Sequence, residues 1–210
     1  MLTVHHLGVS QSERIVWLCE ELGVPYELKV YDRDPVSRLA PAEYKALHPI
    51  GTAPIITDGE VVLPESGAII EYIIGKYGDG RLTVRPAAPN YADYLFWLHF
   101  ANATMMSRHM MLLGLRADDD GPIAGWVRER AKATWDLAEQ RLGEASYFAG
   151  DDFTAADIIM LFPLTTMRAF TPISLDAYPS IRAYLARIGA RPAYQRAMAK
   201  GDPAIAPMLS

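Results

Sequence analysis

The chain has 210 residues, 50% of them hydrophobic and 21% charged, with a formal net charge of −5. That length allows one large domain or two small ones, and the apolar share supports a buried core, which excludes disorder as the main state. A mildly acidic chain with scattered Lys and Arg is a poor electrostatic partner for nucleic acid, and its single cysteine, Cys19, excludes an intrachain disulfide and a multi-cysteine zinc site.

The chain opens on Met1-Leu2-Thr3-Val4-His5-His6 with no basic region followed by a long apolar run, so no signal peptide is expected. Leu2 to Leu7 reads as a short strand. Ile15, Leu18, Cys19 and Leu22 then fall at i, i+3, i+4 and i+7, one face of a helix that Gly23 and Pro25 end. Cys19 on that apolar face reads as a small hydrophobe rather than a nucleophile. Tyr26 to Tyr31 alternates as a strand, with Tyr26, Leu28 and Val30 on one side. Strand, helix and strand in this short span make a βαβ unit with a parallel pair.

Pro35 to His48 is loop plus a short helix. Asp58-Gly59 between two short β-branched runs predicts a hairpin. Ile69, Tyr72, Ile73 and Lys76 carry a further helix. Gly78 to Pro89 has no helical period and reads as a linker. Everything beyond it is helical in pattern. The longest apolar stretch, Ile158 to Leu164, is too short to span a bilayer and contains Pro163. The expected plan is a βαβαββα domain over residues 1–78, a linker at 79–88 and an all-helical domain over 89–210.

Some features have a plain structural explanation. Thr154-Ala155-Ala156-Asp157 is a capping box, with Phe153 and Ile158 as its hydrophobic staple, so Thr154 and Asp157 are expected to be structural. Asp118, Asp119 and Asp120 are consecutive beside Gly121-Pro122 and lack the spacing of a calcium loop. His99 and His109 make no ligand set, so no metal is expected. Met105, Met106, Met110 and Met111 read either as core or as an adaptable apolar lining.

Four segments, taken together and in order, resemble the cytosolic glutathione transferases, and most resemble serine-type bacterial and fungal members. They are Ser10-Gln11-Ser12-Glu13-Arg14 running into Glu20-Glu21-Leu22-Gly23, then His48-Pro49-Ile50-Gly51-Thr52-Ala53-Pro54, then Pro64-Glu65-Ser66-Gly67-Ala68, and finally Phe153 to Ile158. The resemblance implies a thioredoxin-like first domain, an all-α second domain, a homodimer, glutathione as cosubstrate and a cytoplasmic, detoxifying enzyme. It implies no membrane and no metal.

By that resemblance Ser10 is the catalytic hydroxyl that stabilises the glutathione thiolate, with Ser12 as rival donor. The residues alone also allow Ser10 to be only the N-cap of the first helix, with Glu13 at N3. Ala53 and a cis Pro54 are expected to present backbone to the cysteinyl moiety. Ser66, at a helix N-terminus, is expected to hold the γ-glutamyl carboxylate, and Glu65 the ammonium group. His48 is a weaker ligand candidate and Arg14 a structural one. Met105, Met106 and His109 are expected to line the pocket for a small apolar electrophile. Glutathione-dependent peroxide reduction and a non-catalytic binding module on the same fold are the alternatives.

Overall fold

The computed structural model describes residues 1–116 and 118–210. In chain order the elements are β1 (Leu2–Leu7), α1 (Glu13–Leu22), β2 (Glu27–Tyr31), α2 (Ala42–Lys45), β3 (Ile55–Asp58), β4 (Val61–Pro64) and α3 (Ser66–Tyr77). They are followed by α4 (Tyr91–Phe100), a π-helical stretch (Ala101–Met106), α5 (Ser107–Leu113), α6 (Pro122–Glu144), α7 (Ala155–Leu164), a 3₁₀ turn (Thr166–Ala169), α8 (Pro179–Gly189) and α9 (Pro192–Gly201). The chain divides into two compact units, one of Met1–Thr83 with Ala190–Pro207, the other of Val84–Gly189 with Met208–Ser210.

The first unit is built on a sheet ordered β2-β1-β3-β4. β1 runs parallel to β2 and antiparallel to β3, and β3 and β4 form the hairpin. Its fold is thioredoxin-like, with a helical second unit following. Asp58 pairs with Val61, so the turn is Gly59-Glu60, one residue later than the Asp-Gly signal implies. Gly59 takes φ 64°, which glycine adopts without a Cβ clash. β2 is an edge strand, and Val30 on it is half exposed. Tyr31 is the residue that turns inward, stacking edge-on against Tyr44.

The helical domain expected over 89–210 is interrupted near its end, because Ala190–Pro207 belongs to the first unit. The reason lies on α1. Its predicted apolar face is buried, but so are Glu13, Arg14, Val16 and Trp17 on its other sides. α9 supplies their cover, with Tyr194 edge-on to Trp17 at 5.2 Å between ring centroids. Arg191 grips Glu21 through two hydrogen bonds of 2.7 and 2.9 Å, and Arg196 meets Glu20 at 2.9 Å. Cys19 sits inside this packing, and burial, with Glu20 nearby, pushes its thiol up to about 12, which makes it unreactive.

In the second unit α4, the π-helical stretch and α5 run on without a break from Tyr91 to Leu113, with the π-helical turns at the middle. Thr154 caps α7, accepting from the Ala156 amide while Asp157 accepts from the Thr154 amide at 2.9 Å and the Phe148 amide at 3.0 Å. Burial raises the Asp157 carboxyl to about 6 although those hydrogen bonds oppose the rise. The folded chain therefore holds this proton more tightly than the unfolded one does, and Asp157 costs stability as the pH climbs from about 4 towards 6. Its hydrogen bonds still make it a net organiser. Asp157→Ala is expected to lower the unfolding free energy by about 2–4 kcal/mol, since it strips acceptors from two buried amides. Chemical denaturation at neutral pH checks this, and an unchanged midpoint would contradict it. None of the helices among the described residues is long and apolar enough to cross a membrane.

Candidate functional site

The site grows from the turn between β1 and α1. Leaving Leu7, the chain passes through Gly8 and Val9 before Ser10. Val9 has φ 54°, a left-handed conformation that a β-branched residue adopts only under constraint. The constraint is visible. The Asp202 carboxylate accepts the Val9 amide at 3.0 Å, and Arg33 donates to the carbonyls of Gly8 and Val9 at 2.8 and 2.9 Å.

Ser10 and Ser12 then stand side by side, 2.8 Å apart between hydroxyl oxygens. Ser10 Oγ also donates to the Leu7 carbonyl at 2.6 Å. Ser12 Oγ is 2.9 Å from His6 Nδ1 and accepts the Leu7 amide at 3.1 Å. Ser12 is 0% exposed and Ser10 is 6% exposed, so of the two only Ser10 reaches the surface. The expected capping box of Ser10 with Glu13 does not form. α1 begins at Glu13, and the N-cap position falls to Ser12, which has helical dihedrals and makes no side-chain cap. The physical reason is competition: the Leu7 carbonyl and His6 take the hydroxyls that a cap would need.

A second cluster forms where β4 meets α3. Glu65 is exposed and held at φ 74°, ψ 118°, a conformation that costs a non-glycine residue about 1–3 kcal/mol. Beyond it the first amides of α3 have no intrahelical acceptor, and the helix dipole turns its positive end the same way. Ser66 is buried there, and Arg14 Nη1 donates to its hydroxyl at 3.3 Å and to Gln11 at 2.6 Å. Burial lowers the Arg14 guanidinium to about 9, still charged at neutral pH. Arg14 thus ties α1 to α3 and adds positive charge behind Ser66. Free helix N-terminal amides with a guanidinium behind them can take a carboxylate.

Between the two clusters runs the approach to β3. The Ala53–Pro54 bond is cis, and Ala53 packs against the cluster of Leu7, Tyr31, Ala40, Tyr44 and Ile55. His48 turns its Nδ1 to the Ile50 amide at 3.2 Å, and its carbonyl accepts from Gly51. Its hydrogen bonds are those of a local turn.

The helical candidates lie inside the second unit. Met105 and His109 are 0% exposed, and Met106 packs with Phe162 and Met167. His109 Nδ1 meets Thr171 at 2.6 Å, while Nε2 accepts from Trp135 at 3.3 Å. Burial brings its ring down to about 4, so it is neutral near pH 7. Asp118 pairs with Arg116, and Asp119 accepts the Gly121 amide.

Sequence reasoning missed His6, Asp202, Gln11 and Arg33. Gln11 sits within the Ser10–Arg14 motif, and its spacing to Arg14 is a readable helical contact. His6 and Asp202 are 196 positions apart, and no local pattern pairs them.

Residues 10–74 match the family model for the glutathione S-transferase N-terminal domain, and residues 101–192 match that for the C-terminal domain. Glutathione S-transferase 3 of Schizosaccharomyces pombe is 35% identical, the alignment covering 95% of this chain and 88% of that protein. Glutathione S-transferase 3 of Zea mays is 32% identical over 89% and 87%. A crystal structure of a glutathione S-transferase from Actinobacillus pleuropneumoniae matches with a TM-score of 0.89 at 35% identity, covering 100% of this chain and 99% of that one. A Phanerochaete chrysosporium glutathione transferase solved with oxidized glutathione matches with a TM-score of 0.75 over 96% and 95%, and at 20% identity it speaks for the fold alone.

Proposed function

We propose, because the chain belongs to the glutathione S-transferase family and is a glutathione transferase, that Ser10 activates the glutathione thiol for attack on a small apolar electrophile. The observation that carries this reading is the pair of hydroxyls at the start of α1, of which only Ser10 is within reach of a ligand. A free thiol has a pKa of about 8.5, so only a few per cent of it is thiolate at neutral pH. Lowering that value by about 2 units requires about 2.7 kcal/mol of selective thiolate stabilisation. One charge-assisted hydrogen bond contributes about 1.5–3 kcal/mol, and the N-terminus of α1 adds to it.

The rest of the cosubstrate follows from the surrounding geometry. Ser66 and the first amides of α3 hold the γ-glutamyl carboxylate, with Arg14 behind them. Glu65 takes the ammonium group. The backbone of Ala53, before Pro54, pairs with the cysteinyl moiety as an added strand would. His48 stays a minor contact at most, since its ring is engaged with Ile50. We place the electrophile on the helical unit, at the π-helical stretch that carries Met105 and Met106. The full burial of Met105 and His109 makes them packing behind such a surface rather than the surface itself.

Turnover of a chlorodinitrobenzene-type probe with glutathione tests the reading. Conjugation faster than the uncatalysed reaction is the expected result. Reduction of an organic hydroperoxide without conjugation would reassign the thiolate to peroxide chemistry, and binding without either would make the chain a non-catalytic module.

We further propose a cytoplasmic homodimer. Val61 and Val62 on β4 are 38% and 41% exposed, and the outer edge of that strand has no neighbour in the sheet of the single chain. Light scattering at micromolar concentration is expected to give twice the 23.3 kDa chain mass, and the mass of one chain would refute it.

A further inference from the structure

Behind the two serines lies a buried chain of hydrogen bonds that thiolate stabilisation by Ser10 alone does not need. Ser10 Oγ is 2.8 Å from Ser12 Oγ, Ser12 Oγ is 2.9 Å from His6 Nδ1, and His6 Nε2 is 3.0 Å from Asp202 Oδ2. His6 is 0% exposed and Asp202 is 8% exposed. The fold makes room for this contact. A Cβ on Gly201 would meet His6 Nε2 at 3.1 Å, and one on Gly8 would meet Asp202 Oδ1 at 3.3 Å.

We propose that Ser12, His6 and Asp202 form an internal proton relay that takes the thiol proton of glutathione from Ser10 and keeps it inside the protein. The inference rests on Ser10 being the hydroxyl at the sulfur.

The bonding balances at every atom. Before transfer the thiol donates to Ser10 Oγ, Ser10 donates to Ser12 Oγ, Ser12 donates to His6 Nδ1, and His6 Nε2–H donates to Asp202. The Leu7 carbonyl, 2.6 Å away, is the rival acceptor for the Ser10 proton. Each proton then moves one step inward. The S–H bond breaks and a new N–H bond forms at His6 Nδ1, each hydroxyl losing one proton and gaining another. The electron pair of the S–H bond stays on sulfur. Every donor from His6 Nδ1 outward now points towards the sulfur, ending in Ser10 O–H against the thiolate, while His6 Nε2–H still donates to Asp202. Ser12 Oγ keeps a full set of partners in both states, because the Leu7 amide donates to it throughout.

Asp202 gives the relay its driving force, as a buried carboxylate does for an imidazole that must accept a proton on its far nitrogen. Burial pushes the Asp202 carboxyl up, but the His6 hydrogen bond and charge, the Val9 amide and the Arg33 charge outweigh it and hold the group below its ordinary value. It is therefore the carboxylate at neutral pH. Besides His6, Arg33 from the segment after β2 is the charged group among the described residues that acts on Asp202. Ser12 from the turn and Gly201 from α9 close around the ring and carry no charge. His6, Ser12 and Asp202 are positioning residues in this scheme, acting on sulfur only through Ser10.

Two measurements on intact protein test it. The first needs no variant: ultraviolet thiolate absorbance and proton release to a pH indicator are followed together as glutathione binds near neutral pH. S-methylglutathione, which has no thiol proton, gives the blank. The relay is expected to yield thiolate with much less than one proton released per thiolate formed. One proton released for each thiolate would overturn it.

The second measurement uses Asp202→Asn. Asparagine keeps an oxygen for the Val9 amide but turns an N–H towards His6 Nε2, which forces the ring proton onto Nδ1 and removes the acceptor. The thiolate titration is expected to move up by about a unit or more, and kcat/KM near neutral pH to fall about tenfold or more. Affinity for S-methylglutathione is expected to stay unchanged. A titration matching the wild type would sink the relay. Ser10→Ala separates the two ideas. If it leaves thiolate formation unchanged, the assignment of Ser10 has failed and the relay with it. If it shifts thiolate formation while Asp202→Asn does not, only the relay has failed.

Discussion

Ser10→Ala is expected to lower kcat/KM for glutathione by about 10- to 100-fold near neutral pH, the equivalent of one hydrogen bond to a charged sulfur. The loss falls on ionisation rather than on binding, so the affinity for S-methylglutathione is expected to stay near wild type. Raising the pH towards that of a free thiol, about 8.5, recovers most of the rate, because the sulfur then deprotonates unaided. Stability is little affected. Ser10 makes no helix cap, so no capping loss is expected. Ser12→Ala behaves differently. It strips a partner from both His6 and the Leu7 amide, each buried, and is expected to cost about 1–3 kcal/mol of stability. A pH profile in Ser10→Ala that overlays the wild type, with the upward shift in Ser12→Ala alone, would move the assignment to Ser12.

The second large effect lies at the start of α3. Ser66→Ala removes the hydroxyl proposed to hold the γ-glutamyl carboxylate and is expected to raise KM for glutathione about tenfold, with kcat at saturation nearly unchanged. The non-reacting end of a substrate is held equally in ground and transition states, so KM carries the loss. Glu65→Gly gives a sharper result, because its two effects have opposite signs. Glycine is at ease at φ 74°, so the variant is expected to gain about 1–3 kcal/mol of stability. It loses the carboxylate proposed to take the ammonium group, so KM is expected to rise about tenfold or more. A variant with raised stability and unchanged KM would show that the strain at Glu65 serves something other than glutathione.

Much of this architecture is legible from local pattern. The βαβ unit, the Asp-Gly hairpin and the capping box at Thr154 are each written within a few residues, where propensity and turn chemistry act. The motif-bearing residues Ser10, Ala53, Pro54, Glu65 and Ser66 all fall in one unit for the same reason. What escaped is what depends on distant chain. Arg14 is expected to be structural, but its partner Ser66 lies 52 positions away and only the fold brings the two together. Ser10 reads as an N-cap until the Leu7 carbonyl and His6 compete for the hydroxyls. Asp202 carries no signal of its own. It is an acidic residue after a helix, and only the fold brings it under Val9.

The discontinuity of the first unit has a consequence for how the protein is made. Translation delivers Met1–Thr83 first, then the helical insert, and only then Ala190–Pro207. At a synthesis rate of about 5–20 residues per second, the early segment waits on the order of ten seconds for the rest of its own unit. Throughout that interval Trp17 lacks Tyr194, Val9 lacks Asp202, and Glu20 and Glu21 lack their arginines. The nascent chain therefore exposes an uncovered α1 to the ribosome surface and to chaperones. The turn that carries Ser10 takes its final shape only once the segment carrying Asp202 has left the exit tunnel, so a nascent chain stalled before that residue holds both serines in an unfinished turn.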